Sequence, residues 1–354
     1  MRISTLAKYA SGVTVAVAIL AGCSNGGSQV APTGPAMGTN TGGGVVDSVY
    51  ARLTPGGLRL RGPMSLVGRP APDIAKRGIY ASGTNSTVIN GYKSRNKSNK
   101  PPFCTTPFSV SHPSSIAVDG AGNLIDPDGG TKSIIIGQGP HMCGAMAATI
   151  SDPYGQPVDA SSANALTGTI AVANNSNQGI AGIAICAVSG GCTANLTNPA
   201  MTSIAGVAMD NSGNCWGDAT KASIATLTYF AGCAGSGVQA TGFTNVDYGG
   251  IDIDAAGNLV TIDIFSTGGT GAVDVYSGCN PTCTLLSSTP LIAPAVYGHL
   301  DLHDKHLAVA DIDNSQIDIY RYSPTGVTYL YSFNNGLPAS IGVEGVAYNK
   351  RSQQ

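Results

Sequence analysis

The side chains best suited to chemistry in this sequence are Asp, Asn and His residues that each follow a short segment of alternating apolar residues. They are Asp119, Asp210, Asp254, His303 and Asn349, with Glu344 just before the last of these segments. Carboxylate and amide oxygens are the ligands that Ca²⁺ prefers, so these residues could bind one ion if the segments converge. If the segments do not converge, the same side chains would hydrogen-bond the backbone of the turn that follows each of them. The sequence leaves both interpretations open.

Histidine offers a second candidate site, because His299, His303 and His306 lie close together in the sequence. His299 and His303 would share one face of a strand, and His306 would lie across the following turn. A divalent metal competes there with ordinary polar turn residues. The sequence contains none of the motifs G-x-S-x-G, H-E-x-x-H or G-x-x-x-x-G-K-[ST]. Without a standard catalytic motif, we expect a binding protein rather than an enzyme.

Internal repeats indicate which elements position these residues. The clearest copies are IAVDGAGNL at 116–124, VAMDNSGNC at 207–215 and IDIDAAGNL at 251–259. Each copy is a short alternating strand that ends in an Asp-x-x-Gly-Asn turn and leads into a second strand. A strand, a polar turn and a strand ending in an aromatic residue then follow, for example at 257–279 and 307–322. We interpret the repeating unit as four antiparallel strands.

The spacing of these units predicts the architecture. The residues that end the first strands fall at positions 119, 159, 210, 254, 303 and 349, which are 40 to 51 residues apart. A period in this range with four strands per unit is typical of β-propellers. The last first strand, 343–349, has no hairpin after it, and the hairpin at 78–92 has no first strand before it. We therefore predict an all-β, six-bladed β-propeller closed by a composite blade from both chain ends.

These repeats resemble the NHL/YVTN family of bacterial propellers, whose usual unit is I-A-V-D-x-x-G-N-L followed by two further strands. The resemblance covers about residues 78–349 and implies a domain that provides a binding surface. It also implies an alternative, because six-bladed gluconolactonase-like enzymes hold Ca²⁺ with Glu, Asn and Asp. This chain offers one Glu, Glu344, and has no evident match to the motifs of those enzymes.

The composition agrees with an extracytoplasmic all-β protein. Only 11% of the 354 residues are charged, while 48 are Gly, which leaves few of the residues that favour surface helices. Nine cysteines are present, and setting Cys23 aside leaves eight, an even number that suggests disulfides in an oxidising compartment. The pairs that we predict are Cys279–Cys283, Cys186–Cys192, Cys215–Cys233 and, by elimination, Cys104–Cys143.

The N-terminus predicts export and anchoring. Arg2 and Lys8 precede a short apolar stretch, which is followed by Leu-Ala-Gly and Cys23. This pattern resembles the lipobox of bacterial lipoproteins and implies a signal peptide over 1–22 and a lipid on Cys23. In a bacterium with two membranes, Ser24 after the cysteine also implies sorting to the outer membrane, by the same resemblance. We predict that residues 23–77 form a flexible and then basic tether, and that residues 78–354 form the propeller.

Charge is divided unevenly along the chain. Ten Lys and Arg residues lie between Arg52 and Lys100 beside one acid, Asp73, whereas 101–348 carry four Lys and Arg and 18 acids, and 4 − 18 gives −14. A basic neck on an acidic body is expected to dock on its own domain or on anionic lipid headgroups. We expect a monomer that binds an envelope protein or a carbohydrate through its propeller loops, and no nucleic acid partner.

Overall fold

The strands of this protein form six sheets of four, in a computed structural model that describes 78–349 apart from a few short gaps. The gaps are 84–85, 120–121, 140–142, 162–167, 176–179, 188–189, 265–269, 302 and 339–341. The predicted signal peptide, Cys23 and the tether lie outside the described residues. Every described residue belongs to one compact unit, Pro70–Gln354.

Blade 1 is the composite blade, and it confirms the predicted ring closure. Its strands from the N-terminal side are β1 (Gly78–Gly83), β2 (Asn90–Lys93) and β3 (Cys104–Thr105). The last strand of the chain, Val343–Tyr348, pairs antiparallel with β1, with Ile79 opposite Tyr348 and Ala81 opposite Val346. The two ends of the propeller sequence are therefore held together by a strand ladder.

The other five blades follow one another along the chain, each as a four-stranded antiparallel meander. Blade 2 contains β4 (Ala117–Val118), β5 (Leu124–Asp128), β6 (Ser133–Gly137) and β7 (Met146–Ser151). Blade 3 contains β8 (Gln156–Ala160), β9 (Thr169–Asn175), β10 (Gly182–Ala187) and β11 (Cys192–Thr197). Blade 4 contains β12 (Ser203–Met209), β13 (Cys215–Lys221), β14 (Ile224–Phe230) and β15 (Val238–Gln239).

Blades 5 and 6 complete the set. Blade 5 contains β16 (Ile251–Ile253), β17 (Leu259–Asp263), β18 (Ala272–Ser277) and β19 (Thr284–Pro290). Blade 6 contains β20 (Ala295–Leu300), β21 (His306–Asp311), β22 (Gln316–Ser323) and β23 (Gly326–Phe333). The final strand, Val343–Tyr348, is β24. The first strands, with β24 as that of blade 1, contact one another at every seam but that between blades 2 and 3, where β5 contacts β8, and they lie next to the central axis.

The core is divided among the seams between blades. Six clusters of buried apolar side chains occur in the described residues, and each one joins two consecutive blades around the ring. The cluster between blades 6 and 1, for example, packs Ile317 and Phe333 against Ile79 and Val346. Each blade thus buries both of its faces only when the ring is complete, and the composite blade supplies the last seam.

Candidate functional site

The turns after the first strands use most of the Asp residues that the sequence singled out as metal candidates. The Asp119 carboxylate accepts the backbone N–H and the side-chain amide of Asn123, both at 2.8 Å. Asp210 and Asp254 hold Asn214 and Asn258 in the same way. Asp254 also accepts a hydrogen bond from the Tyr322 hydroxyl at 2.9 Å. Each of these three turns is therefore closed by its own Asp and Asn.

The structure does not bring the predicted metal ligands together. No three of the described Asp, Glu and His residues on that list have ligand atoms within 4.8 Å of one another. Asn349 lies at the end of β24, where its N–H bonds the Gly78 carbonyl at 3.0 Å, and Glu344 is a partly buried residue within the same strand. Calcium binding at these residues stays a prediction.

Over the described residues, one group of three ligating side chains does come together, and it is not on that list. It consists of Asp152, Cys186 and Cys192. The two cysteines form a disulfide, so their sulfurs are not thiolates that could hold a metal.

Two of the repeat copies have a different register from the one that the sequence predicted. In blade 6 the turn residue is Asp301, whose N–H bonds the His306 carbonyl and whose Oδ2 lies 2.7 Å from His306 Nδ1. His303 instead lies exposed within that turn. In blade 3 the equivalent position is Ser161, which accepts the Ala171 N–H, and Asp159 lies two residues earlier inside β8. The sequence misplaced the turn of blade 6 because that turn has an extra residue, and it misplaced the turn of blade 3 because Ser stands there in place of Asp.

The correct register reveals a polar cluster that sequence reasoning missed. The position two residues before each turn residue is Ala in three blades and titratable in the other three. The titratable residues are Asp159, Asp252 and His299. Asp159 Oδ2 accepts the Val207 N–H of the next blade at 2.7 Å, and Asp252 Oδ2 accepts the Leu300 N–H of its next blade at 2.9 Å. These carboxylates link consecutive inner strands.

His299 extends this cluster towards blade 2. Its Nε2 lies 3.4 Å from the Ser115 hydroxyl, and its Nδ1 lies 3.5 Å from Asp252 Oδ2. We call Ser115, Asp159, Asp252 and His299 the axial cluster. Its members come from blades 2, 3, 5 and 6, so polar side chains bridge the inner strands near the axis.

Ser115, His299 and Asp252 contact one another in the order of a hydrolytic triad. How deeply these side chains are buried decides what chemistry the axial cluster can perform. Ser115 has no exposed surface and His299 is 5% exposed. A nucleophile must reach the reacting atom of a substrate, and a fully buried hydroxyl does not. Burial raises the pKa of Asp159 to about 6, while the neighbouring His299 and the Val207 N–H act to lower it. The arrangement is suited to holding blades together.

The eight cysteines form the four predicted disulfides, Cys104–Cys143, Cys186–Cys192, Cys215–Cys233 and Cys279–Cys283. Every one involves the turn between the third and fourth strands of a blade, at the outer rim of the ring. Cys104–Cys143 joins blade 1 to blade 2, and the other three lie within one blade each.

The opposite end of the blades has a different character. We call the turns between second and third strands, together with the connections from one blade to the next, the connection face. Four aliphatic side chains on it are strongly exposed: Ile224 at 67%, Val246 at 57%, Ile180 at 54% and Ile292 at 50%. They belong to the turns of blades 3 and 4 and to the connections that follow blades 4 and 5, so they lie on one side of the ring. None of the described cysteines lies on this face.

Side chains that accept backbone N–H groups fix the two connections that carry Val246 and Ile292. Asp263, at the end of β17, accepts the N–H groups of Val246 and Asp247 at 2.9 and 3.0 Å. Ile292 donates its N–H to the Tyr320 hydroxyl at 3.2 Å. The exposed aliphatic groups are thus presented on an ordered backbone.

Comparison with known proteins identifies the architecture. A chain of the nidogen/laminin complex is 13% identical, with a TM-score of 0.60, and the match covers 77% of this chain and 98% of that one. The fold is a β-propeller of six blades. A protein of unknown function from Bacteroides caccae matches with 11% identity, a TM-score of 0.56 and coverage of 77% and 98%. A putative 6-phosphogluconolactonase from Bacteroides fragilis NCTC 9343 matches with 11% identity, a TM-score of 0.54 and coverage of 79% and 99%.

At 11–13% sequence identity, these similarities establish the β-propeller fold but neither a family nor a function. No protein-family model matches the sequence, and no curated protein matches it either. Among the described residues, no helix is both long enough and apolar enough to span a membrane.

Proposed function

We propose that this protein is a binding module of the cell envelope, held by a lipid on Cys23, that recognises a partner protein through the connection face. The observation that carries the proposal is the set of four aliphatic side chains, Ile180, Ile224, Val246 and Ile292, each at least half exposed on one side of that face. Exposed apolar residues are common singly, but a group of them on one face is typical of interaction sites.

The rest of the fold supports this role. The seam clusters, the composite blade and the rim disulfides stabilise the ring, and none of the seam clusters includes the four exposed aliphatic side chains. A rigid scaffold that presents loops is the usual way in which propellers bind other molecules. A preformed surface also loses less conformational entropy when it binds.

The alternative of a calcium-dependent, gluconolactonase-like hydrolase has weaker support. Asp119, Asp210 and Asp254 bond their own turns, no three of the described Asp, Glu and His candidates have ligand atoms within 4.8 Å of one another, and Ser115 in the axial cluster is fully buried. The similarity to a putative 6-phosphogluconolactonase concerns the fold alone, at 11% identity.

The test begins with a photo-reactive residue in place of Ile224 in the full-length protein, expressed in the cells that produce it. The crosslinked partner is identified, purified and titrated against the unmodified protein and its variants. Ile224→Asp with Val246→Asp should weaken binding about tenfold or more, because charged groups would replace the buried apolar contact.

Leu286→Asp is the matched control, because Leu286 is 44% exposed but lies on β19 at the rim. It should leave the affinity unchanged. The proposal is wrong if the rim variant weakens binding as much as the connection-face variants do, or if the same photo-reactive residue at position 286 captures the same proteins.

A further inference from the structure

One loop of blade 1 concentrates positive charge. Lys93, Arg95, Lys97 and Lys100 lie within eight residues, from the last residue of β2 into the segment that joins β2 to β3, and all four are exposed. Four other Lys and Arg residues are described, and they are scattered over the remaining blades: Lys132, Lys221, Lys305 and Arg321. We call residues 93–103 the basic loop.

Nothing within the described part of the chain neutralises this loop. None of its four cations forms an ion pair with a described carboxylate, although Lys97 Nζ lies 5.7 Å from the ring centre of Tyr331. The sequence also has no acid between Asp73 and Asp119. These four side chains therefore form no ion pair with the acidic body in the described residues, and docking of the basic neck as a whole stays a prediction.

The basic loop is ordered by its own hydrogen bonds. Asn96 clamps Lys100, accepting its N–H and donating to its carbonyl, both at 2.9 Å. Asn99 Oδ1 accepts the N–H groups of Asn334 and Asn335, each at 2.9 Å, which ties the loop to the connection after blade 6. The Tyr331 hydroxyl donates to the Ser94 carbonyl at 3.2 Å. The charges are therefore presented on a fixed backbone.

Two further features point to a membrane surface. Phe103, at the end of the basic loop, is 41% exposed, and an aromatic ring beside cations is the usual composition of a segment at a lipid interface. Gly78, the first residue of β1, is the cross-strand partner of Lys93. The chain that leads back towards Cys23 therefore enters the propeller directly beside the basic loop.

From these contacts we propose that the basic loop docks on anionic phospholipid headgroups, with Phe103 in the interfacial layer of the bilayer. Each Lys or Arg close to an anionic bilayer contributes to binding, and such contacts weaken with salt. This inference does not rest on the connection face, so a protein without a partner there could still dock in this way.

Tryptophan fluorescence in the full-length protein, synthesised without the lipid on Cys23 so that the lipid does not anchor it to every vesicle, tests the proposal, because the chain has one native Trp, Trp216, which is buried. Phe103→Trp is measured with brominated vesicles of phosphatidylcholine alone and with 30% phosphatidylglycerol. We expect quenching of the new Trp that requires phosphatidylglycerol and is reversed by salt. Adding Arg95→Gln, Lys97→Gln and Lys100→Gln should weaken partitioning by on the order of 100-fold.

The matched control removes the same number of charges elsewhere, by Lys132→Gln, Lys221→Gln and Lys305→Gln, and should keep the quenching. Leu286→Trp on β19 of blade 5, away from the basic loop, should not be quenched. Equal quenching in vesicles without phosphatidylglycerol, equal loss in both triple variants, or no quenching of Phe103→Trp would each overturn the proposal. Circular dichroism and melting curves confirm that every variant folds.

Discussion

Near the axis, the same repeat position is filled by Ala117, Ala208 and Ala347 in three blades and by the titratable residues of the axial cluster in the other three. A polar side chain there is costly unless it is bonded, because Ser115, Asp159 and His299 are at most 5% exposed. Asp159 and Asp252 meet this requirement by accepting an N–H from the next inner strand. These side chains thus replace apolar contact with directional bonds between blades.

The Asp159 carboxyl should make stability depend on pH. Burial raises its pKa in the folded protein to about 6 from 3.8, so the folded state binds the proton more tightly than the unfolded state does. Its contribution is then fully present below about pH 4 and is lost as the pH rises through about 6. Asp159→Asn keeps an acceptor for Val207 but cannot ionise.

Urea unfolding at pH 4, 5, 6 and 7 measures this effect. Relative to Asp159→Asn, the native protein should lose on the order of 2 kcal/mol between pH 4 and pH 7. Groups that do not interact with Asp159 titrate in both proteins and cancel in the difference. A difference that stays constant over this range, or one that changes in the opposite direction, would show that Asp159 is not the group responsible.

At the scale of elements, the Asp-x-x-Gly-Asn turns were predictable because each needs particular residues at particular positions. Gly122, Gly213 and Gly257 have φ of 87, 83 and 83°, in the left-handed region that favours Gly. The turn-bonding interpretation of Asp119, Asp210 and Asp254 is accordingly what the structure displays. The axial cluster was not predictable by matching residue types between the repeats. The copies around Asp159 and His303 align with the other copies through their strand pairing in the structure, and not through an Asp at the same position.

Gly257→Ala should cost stability through the backbone alone. A Cβ at this position would meet nothing within 4 Å, so no clash contributes, but φ stays at +83°. We expect a loss of about 1 kcal/mol in the free energy of unfolding, measured by urea titration. Gly191→Ala is the control, because a Cβ there also meets open space and its φ is not in the left-handed region. Equal losses in the two variants would contradict the backbone explanation.

The whole molecule was the best-predicted scale, since the blade number and the composite blade follow from counting strands along a periodic sequence. The exposed side chains of the connection face were not predictable in the same way. Ile224 and Val246 have the same apolar character as the buried Ile204 and Val207, and only the path of the chain distinguishes them. Apolar periodicity identifies strands, whereas exposure at a turn depends on which blades are neighbours.

Circular permutation tests what closes the ring. The Asn349 N–H bonds the Gly78 carbonyl, so a short Gly-Ser linker can join these ends. New termini after Ser212 would split blade 4 and create another composite blade, with β12 at one chain end and β13 at the other. New termini after Pro199 would instead leave the seam between blades 3 and 4 closed by side-chain packing and a few hydrogen bonds, such as that from the Val207 N–H to Asp159, without a strand ladder between the chain ends.

We expect the permutant opened after Ser212 to have a urea midpoint near that of the unpermuted protein, because a strand ladder still ties its ends together. The permutant opened after Pro199 should be less stable by roughly 2–4 kcal/mol, a loss comparable with removing a chain cross-link. Both carry the same linker and one exposed cut, so the difference isolates the ladder. Matching midpoints would mean that the contacts across a seam close the propeller without a strand ladder, and that pairing of β24 with β1 adds little to its stability.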